Sequence, residues 1–146
     1  QNTTFSLEAW NNTFYYQFEE IARFFERIDH PAYGIHLDVM NLFSQFNYWD
    51  STRVIGEVID YFGEHIVSCH LKDIYWDYHE MFLFLKEVMI GDGVLDYNMY
   101  LRKLAGLKHD VPCFCEHLDT KEEFIENTRR LHKIAADNRI KFNTVK

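Results

Sequence analysis

Gly34-Ile35-His36-Leu37-Asp38 is a short apolar run that stops on a metal-type ligand, and the same design recurs three times along the chain. The other runs are Thr4-Phe5-Ser6-Leu7-Glu8, Ile66-Val67-Ser68-Cys69-His70 and Pro112-Cys113-Phe114-Cys115-Glu116. Each reads as a buried strand followed by a loop. Side chains alternate faces along a strand. Leu7, Leu37, Cys69 and Cys115 are therefore expected on one face, and Glu8, Asp38, His70 and Glu116 on the other. Three carboxylates and an imidazole at the same end of successive strands suit a hard-to-borderline divalent cation.

Each of these residues alone has a plainer reading. Glu8 could be a solvated charge at a strand end, His70 a hydrogen-bonded core histidine, and Asp38 or Glu116 a cap for the segment that follows. Four such residues at matching strand ends argue for a site instead. His70 must be neutral to bind a metal, so binding should weaken on acidification.

The segments between these runs have helical periodicity. Phe14, Phe18, Ile21, Ala22, Phe25 and Ile28 predict a first helix over 14–28, stopped before Pro31. A second starts at Asp50 or Ser51, buries Val54, Val58, Ile59 and Phe62, and is capped by Gly63. A loop of about twenty-five residues follows His70, long enough to carry function. Within it, Phe82-Leu83-Phe84-Leu85 could add a strand, and Gly91-Asp92-Gly93 is a turn whose amides could approach a phosphate. A third helix spans 97–105 and closes at Gly106. A fourth opens at Thr120, whose spacing to Glu123 is a capping box.

Strands alternating with helices imply a parallel sheet, whose function sits at the carboxyl ends of the strands. Two architectures fit: a small open α/β sheet, or half of a (β/α)8 TIM-type barrel, which usually needs about 250 residues. Convergence of four inward polar ends favours the half barrel. Such a half leaves two edge strands and an inner face bare, so it is expected to associate with a missing N-terminal half or with a second copy of the chain. The 146 residues suffice for one domain. Because the sequence starts at Gln1 with a strand almost at once, it is expected to be part of a longer protein or a trimmed chain.

Composition narrows the partners. A net charge of −8 argues against a nucleic-acid surface. No apolar run approaches the roughly 18 residues of a membrane span. Three cysteines, with Cys113 and Cys115 on one strand face, read as reduced thiols of a cytoplasmic protein.

Five motifs in order carry a family resemblance: Ser6-Leu7-Glu8-Ala9-Trp10, His36-Leu37-Asp38-Val39-Met40-Asn41-Leu42, Cys69-His70-Leu71-Lys72-Asp73, Ile90-Gly91-Asp92-Gly93-Val94-Leu95-Asp96 and Glu116-His117-Leu118-Asp119. Together they resemble the xylose isomerase-like TIM barrel superfamily, in particular its sugar phosphate isomerase/epimerase branch, over strands five to eight. The resemblance implies a divalent metal (Mn2+, Mg2+, Co2+ or Zn2+) held by Glu8, Asp38, His70 and Glu116. It implies Glu8 and Glu116 as acid/base groups for isomerising or epimerising a sugar or sugar phosphate through an enediolate. Trp10 could stack on a sugar, Asn41 could bond a hydroxyl, Lys72 could reach a phosphate or pair with Asp73, and His117 could support the site. Relatives with Asp-x-x-His at the second motif have a ligand where this chain has Asn41, which counts against an apurinic endonuclease. An inosose dehydratase-like enzyme and a non-catalytic half-barrel assembly module are the remaining alternatives.

Overall fold

The computed structural model describes residues 3–79, 81, 82 and 84–143. Strands β1 (Phe5–Glu8), β2 (Tyr33–Leu37), β3 (Ile66–His70) and β6 (Cys113–Phe114) form one sheet in that spatial order, every pair parallel. Helices α1 (Phe18–Ile28), α2 (Ser51–Phe62), α3 (Tyr97–Ala105) and α4 (Lys121–Asp137) follow β1, β2, a hairpin of β4 (Asp73–Trp76) and β5 (Leu85–Val88), and β6. The chain is thus a partial α/β barrel built of parallel strands.

The core lies between the sheet and the helices. Ile35, Leu37, Ile66 and Cys69 from β2 and β3 meet Val54, Ile55, Val58, Ile59 and Phe62 of α2, with Tyr100, Leu101 and Leu104 of α3 and Leu131 and Ala135 of α4. These α2 positions recur at helical spacing, so one stripe of the helix is buried by the sheet. Local chemistry sets the helix starts. Asp50, Asp96 and Thr120 accept hydrogen bonds from the amides of Arg53, Met99 and Glu123, and Glu123 completes the capping box.

The structure corrects several expectations. The helix expected over 14–28 starts at Phe18. Thr13 Oγ1 donates to the Trp10 carbonyl and accepts from the Tyr15 amide, and the Tyr15 hydroxyl is 2.7 Å from that of Tyr33. That turn ties Tyr15 to β2 and keeps residues 10–15 out of the helix. Strand β1 is not buried: Phe5 is 50% and Leu7 36% exposed, because β1 has a partner on one side only among the described residues. The fourth run pairs over Cys113–Phe114 alone, with further bonds from the Cys69 amide to the Pro112 carbonyl and from Leu71 to Phe114. Gly63 is the C-cap of α2 as expected, in right-handed geometry that runs on into a 3-10 turn, Gly63–His65.

The long segment after His70 is a hairpin. Strand β4 (Asp73–Trp76) runs antiparallel to β5 (Leu85–Val88). The extra strand is thus shifted beyond the expected 82–85, of which Leu83 lies outside the described residues. The turn after β5 is organised by Asp73, 1% exposed, whose carboxylate accepts from the amides of Ile74, Gly91, Gly93 and Leu95 at 2.9–3.1 Å. Gly91 has φ +91°, and a Cβ on Gly93 would lie 2.2 Å from Asp73 Oδ1. Two of the amides considered for phosphate are therefore already engaged by Asp73. All three cysteines are free, with Cys69 Sγ 3.4 Å from Cys113 Sγ.

Candidate metal centre

The strand register explains how residues far apart in sequence meet. Glu8 is level with His36 on β2, Leu37 is level with Cys69, and His70 is level with Phe114. Asp38 and His70 therefore follow paired residues at adjacent strand ends, while Glu8, level with His36, reaches them from two strand positions lower. Glu116 comes from the loop just past β6.

The three carboxylates gather around one imidazole nitrogen. His70 Nδ1 is 2.8 Å from Glu116 Oε1, 3.4 Å from Glu8 Oε1 and 3.7 Å from Asp38 Oδ2. Ligand atoms of all four residues lie within 4.8 Å of one another. The structure thus brings the four residues expected at the strand ends into one group. Asp38 is 1% exposed, and both its Oδ2 and His70 Nδ1 are buried without a hydrogen-bond partner. Buried polar atoms are normally satisfied; His70 Nδ1 lacks a hydrogen bond and Asp38 Oδ2 has only the Lys72 ammonium as its counter-charge, so a divalent cation fits between them.

Lys72 also meets these carboxylates. It is 5% exposed, and its ammonium is 2.8 Å from Asp38 Oδ2, outside hydrogen-bond geometry, and in close ion-pair contact with Glu116. Its expected pairing with Asp73 is replaced by these contacts, because Asp73 is committed to the backbone amides. Burial alone would depress the Lys72 ammonium, but Asp38 and Glu116 hold it above the ordinary lysine value. Burial and the Asp38 charge raise Glu8. Burial would also raise Glu116, yet Lys72, His70 and His117 hold it below the usual range.

The remaining expected residues divide. Asn41 is buried, and its amide Nδ2 is 3.4 Å from Glu8 Oε1, so it orients that carboxylate. His117 has φ +55° and places Nδ1 2.7 Å from Glu87 Oε2 and 3.5 Å from Lys72 Nζ. Trp10 is 47% exposed on the loop after β1, and none of the site's hydrogen bonds or ion pairs among the described residues includes it.

Two neighbours escape the sequence reading. Glu87 reaches Lys72 and His117 from the hairpin. His36 stands edge-on to His70, ring centroids 4.1 Å apart, with Nδ1 2.6 Å from Ser68 Oγ. Burial and the nearby His70 lower its basicity. Its signal was present: an ionisable residue inside a strand, two positions before Asp38 and so on the same face.

A cleft of about 170 Å³ opens beside the quartet, lined by Lys72, Glu87, Met89, Glu116, His117 and Asp119 among others. A larger hollow of about 500 Å³ lies between the end of α2 and α3, against Ile59, Gly63, Arg102 and Leu107, and holds none of the quartet. Of the quartet, Glu116 alone lines the smaller cleft.

The family model for the xylose isomerase-like TIM barrel matches residues 1–137. The chain belongs to the xylose isomerase-like TIM barrel family. That superfamily includes isomerases, epimerases and dehydratases. A xylose isomerase-like TIM barrel protein from Mycobacterium smegmatis, in complex with magnesium, superposes with TM-score 0.72 at 18% identity, covering 92% of this chain and 44% of its own. A xylose isomerase domain protein from Planctomyces limnophilus gives 0.69 at 17%, over 93% and 48%. The probable 3-DHS dehydratase AsbF of petrobactin synthesis in Bacillus anthracis gives 0.68 at 16%, over 94% and 50%. This xylose isomerase-like chain therefore spans about half the length of the structures it matches. No curated protein matches it. Among the described residues, no helix is long and apolar enough to cross a membrane.

Proposed function

We propose that the chain supplies the C-terminal half, strands five to eight, of a metal-dependent sugar or sugar-phosphate isomerase/epimerase in the cytoplasm, and that residues 1–146 form one domain of it. The convergence of Glu8, Asp38, His70 and Glu116 on one point carries this reading. The magnesium in the Mycobacterium smegmatis neighbour supports it. The missing half of the barrel, or a second copy of the chain, would close the cleft over a small sugar.

A divalent ion held by the quartet would polarise a substrate carbonyl and stabilise the negative charge of an enediolate. The chain's own groups divide the proton work. Glu116 is kept ionised by Lys72 and His70 and takes the proton from the carbon beside the carbonyl. Glu8, whose carboxyl is held above the usual range by burial and the Asp38 charge, returns one. Asp38 and His70 hold position, and Asn41 keeps Glu8 aimed. Lys72 and His117 face the cleft, where a phosphate or hydroxyl of the substrate would meet them, and Trp10 offers an exposed ring for a sugar face.

A dehydratase is the second reading. The likeness to the probable 3-DHS dehydratase supports it, as does the Lys72–Glu116 contact, since elimination also begins with loss of a proton beside a carbonyl. Incubating the chain with Mn2+ and a panel of sugars in deuterated water tests both readings. Deuterium should enter carbon next to the carbonyl, and Glu116→Gln should abolish uptake without changing the circular dichroism spectrum. Uptake retained in Glu116→Gln would remove Glu116 from the mechanism, and loss of water from substrate would identify the dehydratase.

A further inference from the structure

A nitrogen-rich set of ligand atoms adjoins the oxygen-rich quartet. We infer that the chain offers a cation two alternative positions sharing Glu8 and His70: one completed by Asp38 and Glu116, the other completed by His36 and selective for Zn2+ or Co2+. This rests on the metal-binding reading above and adds His36 to it.

Ligand atoms of Glu8, His36 and His70 lie within 4.8 Å of one another. Glu8 and His36 are register partners across β1 and β2, so the strands themselves hold this set together. Ser68, the register partner of His36 on β3, places its Oγ 2.6 Å from Nδ1, where it can accept a hydrogen bond from that nitrogen. With Nδ1–H donating to that hydroxyl, the lone pair is on Nε2. That nitrogen is buried without a hydrogen-bond partner. A ligating histidine typically has this arrangement, one ring nitrogen held by a neighbour and the other free for the ion.

Two imidazoles and one carboxylate suit zinc-like ions, with a fourth position open. Three carboxylates and one imidazole suit magnesium and manganese better. Charge separates the two positions further. The Lys72 ammonium contacts Asp38, Glu116 and Glu87. An ion at the oxygen-rich position must share two ligands with it, whereas Glu8, His36 and His70 can receive an ion while Lys72 keeps its partners.

Proton spectra of the Co2+-loaded chain test this without substitution. Two solvent-exchangeable, strongly shifted imidazole N–H signals are expected, from His36 and His70; a single signal overturns the inference. Calorimetric titration with Co2+ and Mg2+ gives a second readout. His36→Gln should lower Co2+ affinity at least ~10-fold and leave Mg2+ affinity unchanged, whereas Asp38→Asn should mainly weaken Mg2+. If His36→Gln leaves Co2+ binding intact while Asp38→Asn weakens it, the inference fails and the quartet stands. If the unsubstituted chain takes up neither ion, both readings fail.

Discussion

Replacing Asp73 with alanine should unfold the turn that carries the Ile90–Asp96 motif. The carboxylate accepts four backbone amides: Ile74 at 2.9 Å, Gly91 at 2.9 Å, Gly93 at 3.1 Å and Leu95 at 3.0 Å. The bonds to Ile74 and Leu95 are buried, while those to Gly91 and Gly93 are part-buried. An unsatisfied buried donor costs about 1–3 kcal/mol. Two of them give roughly 2–6 kcal/mol, and water can recover most of the loss at the two glycines. That is a large share of the ~5–15 kcal/mol that holds a typical domain together. Asp73→Asn keeps an oxygen that accepts but points an NH2 at amides that donate, so it should lose about half as much. Urea unfolding measures both, with an unchanged slope showing that the same surface is exposed. A loss under ~1 kcal/mol for Asp73→Ala would show that the carboxylate does not organise the turn.

Two further outcomes follow from the charged network. Lys72→Met removes the ammonium between Asp38 and Glu116 and should cost roughly 2–4 kcal/mol, below a fully buried pair because Glu116 is partly exposed. Mn2+ should recover part of that loss in thermal melts; no recovery would show that ammonium and ion do not share these carboxylates. Arg129 and Arg130 push Glu126 down to about 2, below the ordinary 4.5 it would have when unfolded. Its stabilisation is therefore present above pH 4.5 and lost as pH falls toward 2. The gap in urea midpoint between the unsubstituted chain and Glu126→Gln should shrink from pH 6 to pH 3, and a gap constant over that range would contradict the assignment.

What could be read from the sequence was what local chemistry decides. Gly106 closes α3, and Thr120 with Glu123 starts α4, because caps act within one turn. The four strand-end residues were legible since a period of two fixes faces and parallel strands put like ends together. The hairpin was not. Asp73–Trp76 finds its partner across a loop, and nothing near Asp73 announces that its carboxylate serves amides some twenty residues on. Glu87 enters the site only through that pairing. His36 was hidden differently: it shares its face with the ligand residues, yet within an apolar run it reads as strand filler. The α1 start departs from the sequence pattern because Phe14 fits the helical period but is 71% exposed, the segment around it held by Thr13 and Tyr33.

Anomalous diffraction from a crystal of the chain grown with Mn2+ tests the central claim most directly. The account predicts one strong peak bounded by Glu8, Asp38, His70 and Glu116, which disappears in Asp38→Ala. Manganese bound elsewhere, or a peak at the quartet that survives Asp38→Ala unchanged, would contradict it.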